Sequence, residues 1–199
     1  MNQNTNHIVI GLLVLIIGFG GGYFIRGSQA SEMPASGSHM MPNGSMMGSN
    51  IDRGFIEQMI PHHEGAIAMA KIALERSKRP EVITLANDII KAQEKEITDM
   101  RAWYQSWYGT AVPTTGGMGI HMGGMTGDVT VLKTISATDF DREFISEMIP
   151  HHEMAVMMAQ MLASGTERSE MKQLASNITT SQSSEIEMMR GWLTSWYSN

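Results

Sequence analysis

The chain contains no cysteine. That absence excludes disulfide bridges, thiolate zinc sites and thiol catalysis. It also argues against a catalytic copper oxidase, because no His-Cys-His segment is present. Positive charge is scarce: 14 Lys and Arg stand against 20 Asp and Glu, a formal net charge of −6 over 199 residues. With no Lys/Arg stripe and no RNA-binding motif, nucleic acid is not an expected partner. Few segments read as strands. Once the N-terminal segment and a flexible stretch are set aside, about 150 residues remain, enough for one ordinary core.

Methionine is what the chain has in excess, with 20 residues. It is not among the commonest residues of ordinary domains. At buried helical positions Met serves as adaptable filler, but filler does not explain Met in glycine-rich loops. Thioether sulfur is a soft ligand that favours Cu(I). Unlike a thiol, it is not lost to a disulfide in an oxidising compartment.

Ile8 to Ile25 is almost wholly apolar, and no charge precedes Arg26. About 18 residues is the short end of a bilayer span. Ser28-Gln29-Ala30 then offers small residues suited to signal-peptide cleavage. A cleaved signal and an uncleaved anchor both remain open, and either means export across a membrane. Gly27 to Asn50 is rich in Ser, Gly, Pro, Met and Asn and reads as a linker containing His39-Met40-Met41. A second such stretch, Gly109 to Gly127, contains Met118, His121, Met122 and Met125. Pairing His with Met in two loops suits metal capture.

The ordered remainder is a repeat. Met59-Ile60-Pro61-His62-His63-Glu64 returns as Met148-Ile149-Pro150-His151-His152-Glu153. The lead-in Asp52-Arg53 with Phe55-Ile56 returns as Asp141-Arg142 with Phe144-Ile145. The ending Arg101-Ala102-Trp103 to Trp107-Tyr108 returns as Arg190-Gly191-Trp192 to Trp196-Tyr197. The halves align without a gap over roughly 57 positions, about half of them identical.

Each half predicts two helices: Ile51–Ser77 and Pro80–Tyr108, then Thr138 or Asp139 to Ala163 and Thr166–Tyr197. The expected fold is all-α, a four-helix bundle of two repeated hairpins behind an N-terminal signal or anchor helix. Residues 1–30 read as that signal peptide or anchor and 31–50 as a flexible Met/His linker. Residues 51–109 form the first hairpin, 110–137 a Gly/Met-rich loop and 138–199 the second hairpin, with 51–199 as one bundle.

On a helical wheel Phe55, Met59, His62, His63, Ala66, Met69 and Ala70 share one apolar arc, whereas Glu64 points away. If the hairpin turns near Arg79, distances matched from the turn place His62 and His63 opposite Glu96. Met59 then lies opposite Met100, and Phe55 opposite Trp103. The second hairpin sets His151 and His152 opposite Glu185, and Met148 opposite Met188 or Met189. A ligating His usually donates its other ring N–H to a carboxylate or carbonyl, the role expected of Glu96 and Glu185. The alternative is that each Glu only satisfies a buried His.

Pro61 and Pro150 fall inside the apolar periodicity, which favours a kinked helix over one that begins at the proline. Met154, Met157 and Met161 fall on the outward side of their helix, with Met158 between the faces. Exposed, they suit a metal site or a partner interface.

The paired Met-Ile-Pro-His-His-Glu phrase, the Met richness and the terminal Trp-x-x-x-Trp-Tyr resemble the domain-of-unknown-function family of Met/His-rich, ferritin-like four-helix bundles. That resemblance covers both repeats. It implies a secreted or periplasmic protein that binds copper, Cu(I) and also Ag(I), and limits metal toxicity. The ligand assignments rest instead on wheel and register. Met59, His62, His63 and Met100 form one candidate cluster, with Met69 on the same arc, and Met148, His151, His152 and Met189 form the other. The expected protein is not an enzyme but sequesters or transfers copper outside the cytoplasm. It meets a membrane only through its N-terminal segment and can hand copper to an efflux or sensor protein. Two alternatives are a di-iron or di-manganese carboxylate oxidoreductase and a membrane-tethered interaction module. The first lacks a Glu-x-x-His motif and has about one inward Glu per hairpin.

Overall fold

The computed structural model describes residues 47–113 and 129–198, with side chains from Ile51 onward. The expected signal or anchor helix therefore lies outside the described residues. So do most of the linker, including His39, Met40 and Met41, and the loop ligands Met118, His121, Met122 and Met125. No helix among the described residues is long and apolar enough to cross a membrane.

The fold is an all-helical bundle of two hairpins. α1 spans Met47–Arg76, α2 Pro80–Tyr108, α3 Val129–Thr134, α4 Phe140–Gly165 and α5 Ser169–Tyr197. The short α3 is a correction, since the region 110–137 reads in sequence as loop. α1 packs on α2, α4 on α5, and α1 on α4. Pro61 and Pro150 both lie inside continuous helices, so neither helix begins at its proline.

The two hairpin turns are built alike. The Ser77 hydroxyl accepts from the Arg79 backbone N–H, and the Thr166 hydroxyl from that of Arg168. Short polar side chains that bond the backbone two residues on are standard turn formers. Pro80 then opens α2 at a position where its missing N–H costs nothing. Gly109 closes α2 with φ 71°, the left-handed conformation that favours glycine.

Repeat equivalence also fixes how the hairpins meet. Asp52 of the first hairpin pairs with Arg168 of the second at 3.2 Å, and Asp141 of the second pairs with Arg79 of the first at 3.2 Å. Arg168 also lies 4.0 Å over the Trp107 ring, and Arg79 4.3 Å over that of Trp196. These reciprocal contacts hold α1 and α4 antiparallel, with the midpoint of one facing the midpoint of the other.

Two apolar cores result. One draws chiefly on the first half of α1 and the second half of α4, including Phe55, Met59, Met158 and Leu162. The other draws on the second half of α1 and the first half of α4, including Met69, Ala70, Phe144 and Met148. The two His-His pairs fall between them in both helices.

Candidate metal centre

All four motif histidines are buried: His62 1%, His63 0%, His151 3% and His152 0% exposed. Adjacent residues on a helix point about 100° apart, and here the two directions do different work. His63 turns toward its own hairpin, where its Nε2 lies 2.7 Å from Glu96 Oε2. His152 does the same with Glu185 at 2.6 Å. A carboxylate only accepts, so the ring Nε2 carries the shared hydrogen. The Nδ1 of His63 and of His152 then keeps its lone pair, and each is buried with no hydrogen-bond partner.

His62 corrects the expected register. It does not face Glu96. Its ring lies against that of His151, centroids 3.7 Å apart and planes at 42°. The cause is the antiparallel crossing of α1 and α4, which brings the two helix midpoints together. Burial, then the neighbouring imidazoles of His151, His63 and His152, hold the His62 pKa down to about 2. Both ring nitrogens of His62 lack a hydrogen-bond partner. The ring is thus neutral at physiological pH, the form in which imidazole binds metal.

Sulfur flanks this layer on both sides. Met59 and Met100 are fully buried in the first core, together with Met158 of the other hairpin. Met148 and Met189 are fully buried in the second core, together with Met69 of the first hairpin. The expected pairs, Met59 with Met100 and Met148 with Met189, therefore share a core. Met188 is only partly buried. Each pair also shares its core with methionine from the opposite repeat, Met158 and Met171 beside the first pair and Met69 beside the second, which matched register within a hairpin does not reveal.

Glu64 and Glu153 leave the site, as the wheel indicates. Each bonds an arginine of its own hairpin at the surface, Glu64 with Arg101 at 2.7 Å and Glu153 with Arg190. Met157 and Met161 are exposed, and Met154 is half-buried against the first core. Two residues not singled out as ligands or supports belong in the description. Gln93 and Gln182 are each 3% exposed, and the Oε1 of each has no hydrogen-bond partner. They occupy equivalent, inward positions one turn from Glu96 and Glu185. Identity in both repeats at an inward polar position is the signal that marks them.

The chemistry of this donor set suits a soft cation. Among the described residues no three His, Asp or Glu side chains converge on a metal-holding position, so a carboxylate-rich centre is not built. Uncommitted imidazole lone pairs and neutral thioethers are. Soft thioether with imidazole selects Cu(I) over hard ions. A buried set with no charge of its own also penalises a monovalent ion less than a divalent one.

Comparison with known proteins adds the following. The family described as a domain of unknown function, DUF305, matches residues 52–193. CopM in its Cu(II)-bound form is 49% identical, with a TM-score of 0.68, covering 73% of this chain and 97% of CopM. CopM in its Cu(I)-bound form is 46% identical, with a TM-score of 0.66, covering 74% of this chain and 98% of CopM. A DUF305 protein from Streptomyces coelicolor is 29% identical with a TM-score of 0.65, covering 73% of this chain and 91% of its own. An uncharacterized protein of Acanthamoeba polyphaga mimivirus is 43% identical over 51 residues, 26% of this chain; the match spans 34% of the viral protein's length.

Proposed function

The chain belongs to the DUF305 family, and from that premise we propose that it binds copper outside the cytoplasm and sequesters or transfers it as Cu(I), with Ag(I) as an alternative ion. The observation that carries this reading is the layer of four buried histidines, with lone pairs uncommitted at His62, His63 and His152, and the buried methionines of the two cores beside it, Met59, Met100 and Met158 in one and Met148, Met189 and Met69 in the other. The solved Cu(I)-, Cu(II)- and Ag-bound forms of the similar CopM support copper and silver as the ions, and the preference for Cu(I) rests on the thioether donors.

In this reading Met59, Met100 and Met158 serve one end of the layer, and Met148, Met189 and Met69 the other. Glu96 and Glu185 orient His63 and His152 rather than ligate. Burial excludes water and rigid packing fixes the donors. Neutral soft ligands favour Cu(I) over Cu(II) at each position. In this reading the chain acts as a binder rather than as an enzyme. Export rests on the apolar segment 8–25, and a copper efflux or sensor protein is the natural recipient of the ion. A chain that removes free Cu(I) from an exported compartment contributes to copper resistance.

Metal analysis of protein purified without chelators from copper-supplemented cells tests the reading. Copper at more than one equivalent per chain supports it. Iron with an oxo-bridge absorption supports the carboxylate oxidoreductase instead, and a metal-free, copper-indifferent chain supports an interaction module.

A further inference from the structure

Large apolar side chains left exposed singly need no explanation. On α4 two occur together: Met157 is 43% exposed and Met161 61%. Four residues apart on a helix, they have Cβ atoms about 5–6 Å from one another. Met154, three residues before Met157, is half-buried against the core that contains Met59 and Met100, and Met158 belongs to that core. Each step from Met161 to Met157, Met154 and Met158 spans three or four residues, so the four residues are helical neighbours that pass from exposed positions to the core.

Two further observations favour a cation on this line. The equivalent positions on α1 are Ile72, Ala68 and Gly65, with no sulfur. Ile72 is 7% exposed and shares a core with Leu132 of α3. Ile72 is therefore buried in a core to which α3 contributes, whereas its equivalent in the other repeat, Met161, faces solvent. In addition, no Lys or Arg occurs from Glu153 to Glu167. That stretch includes the last turn of α4, just beyond Met161, where the helix dipole favours positive charge.

We propose that Met157 and Met161 form a solvent-facing site for a soft monovalent cation, Cu(I) or Ag(I), from which Met154 and Met158 lead the ion to the buried centre. The inference rests on the reading of the chain as a Cu(I) binder. Three rotatable bonds let each thioether swing so that both sulfurs meet one ion. Uncharged sulfur selects the soft ion over hard divalent competitors.

The test is an anaerobic titration of the full chain with Cu(I) held by competing bicinchoninate, alongside the M157L/M161L and H62Q/H151Q variants. Leucine keeps the volume and the fold at these exposed positions. M157L/M161L should bind one equivalent fewer than the parent, and H62Q/H151Q should keep that surface equivalent. If M157L/M161L binds as many equivalents as the parent, the surface site is overturned while the buried centre stands. If no chain takes Cu(I) from the chelator, both readings fall.

Discussion

The His62 ring, from the first repeat, lies against the His151 ring, from the second, with centroids 3.7 Å apart. A motif that looks complete twice over in sequence is thus shared in space. The duplicated phrase supplies one half of a layer that neither hairpin builds alone. His63 and His152 are held within their own hairpins by Glu96 and Glu185, while His62 and His151 join the hairpins.

The first prediction concerns pH. His62 titrates at about 2 when folded, against about 6.5 when unfolded. Between those values the unfolded chain binds the additional proton, so stability falls as pH falls below about 6.5, by about 1.4 kcal/mol per unit for this one group. Urea denaturation of metal-free protein at pH 6.5 and pH 5 should show a loss of about 2 kcal/mol from this residue. H62Q should flatten the dependence by that amount. An unchanged difference in H62Q would contradict the burial of a neutral His62.

The second concerns the supporting carboxylates. E96Q and E185Q keep shape but replace an acceptor with a group that can also donate, weakening control over which nitrogen of His63 and His152 is free. Loss of such a support typically lowers metal affinity by about 10- to 100-fold. Chelator competition on each variant should find that loss in part of the bound Cu(I), with the helical content intact. Affinity equal to the parent would reduce the Glu to a partner that merely satisfies a buried His.

The third follows from the crossed methionines. Leucine conserves volume, so M158L should cost under about 1.5 kcal/mol in stability. It should weaken one Cu(I) position by at least about tenfold, equivalent to 1.4 kcal/mol, although Met158 belongs to the opposite hairpin from Met59 and Met100. M69L should do the same beside Met148 and Met189. Methyl-labelled Met spectra would show whether the shift caused by metal at Met59 and Met100 is lost in M158L. A site indifferent to M158L would confine each cluster to one hairpin.

Much of this was legible in sequence for a physical reason. Within a hairpin, distances from a tight turn fix which residues meet, so the turn near Arg79 is enough to place His63 at Glu96 and Met59 with Met100. Between hairpins no such ruler exists. The meeting of His62 with His151 depends on how α1 crosses α4, which the reciprocal pairs Asp52–Arg168 and Asp141–Arg79 help to set. Those four residues are identical between the repeats, yet charge pairs at chain separations above 60 residues have no local periodicity to reveal them. α3 is not legible in the sequence because six residues are too few to show a helical period. Its Val129-Thr130-Val131 start is also β-branched, which carries no helical preference.

The most direct test of a shared buried centre is an anaerobic Cu(I) titration against a competing chelator, comparing the parent with the variant in which His62, His63, His151 and His152 are all glutamine. The account predicts that the variant loses the tightly held equivalents and keeps only those on surface methionines. Equal stoichiometry and affinity in the two chains would show that the doubled histidines serve the fold alone and contradict the central claim.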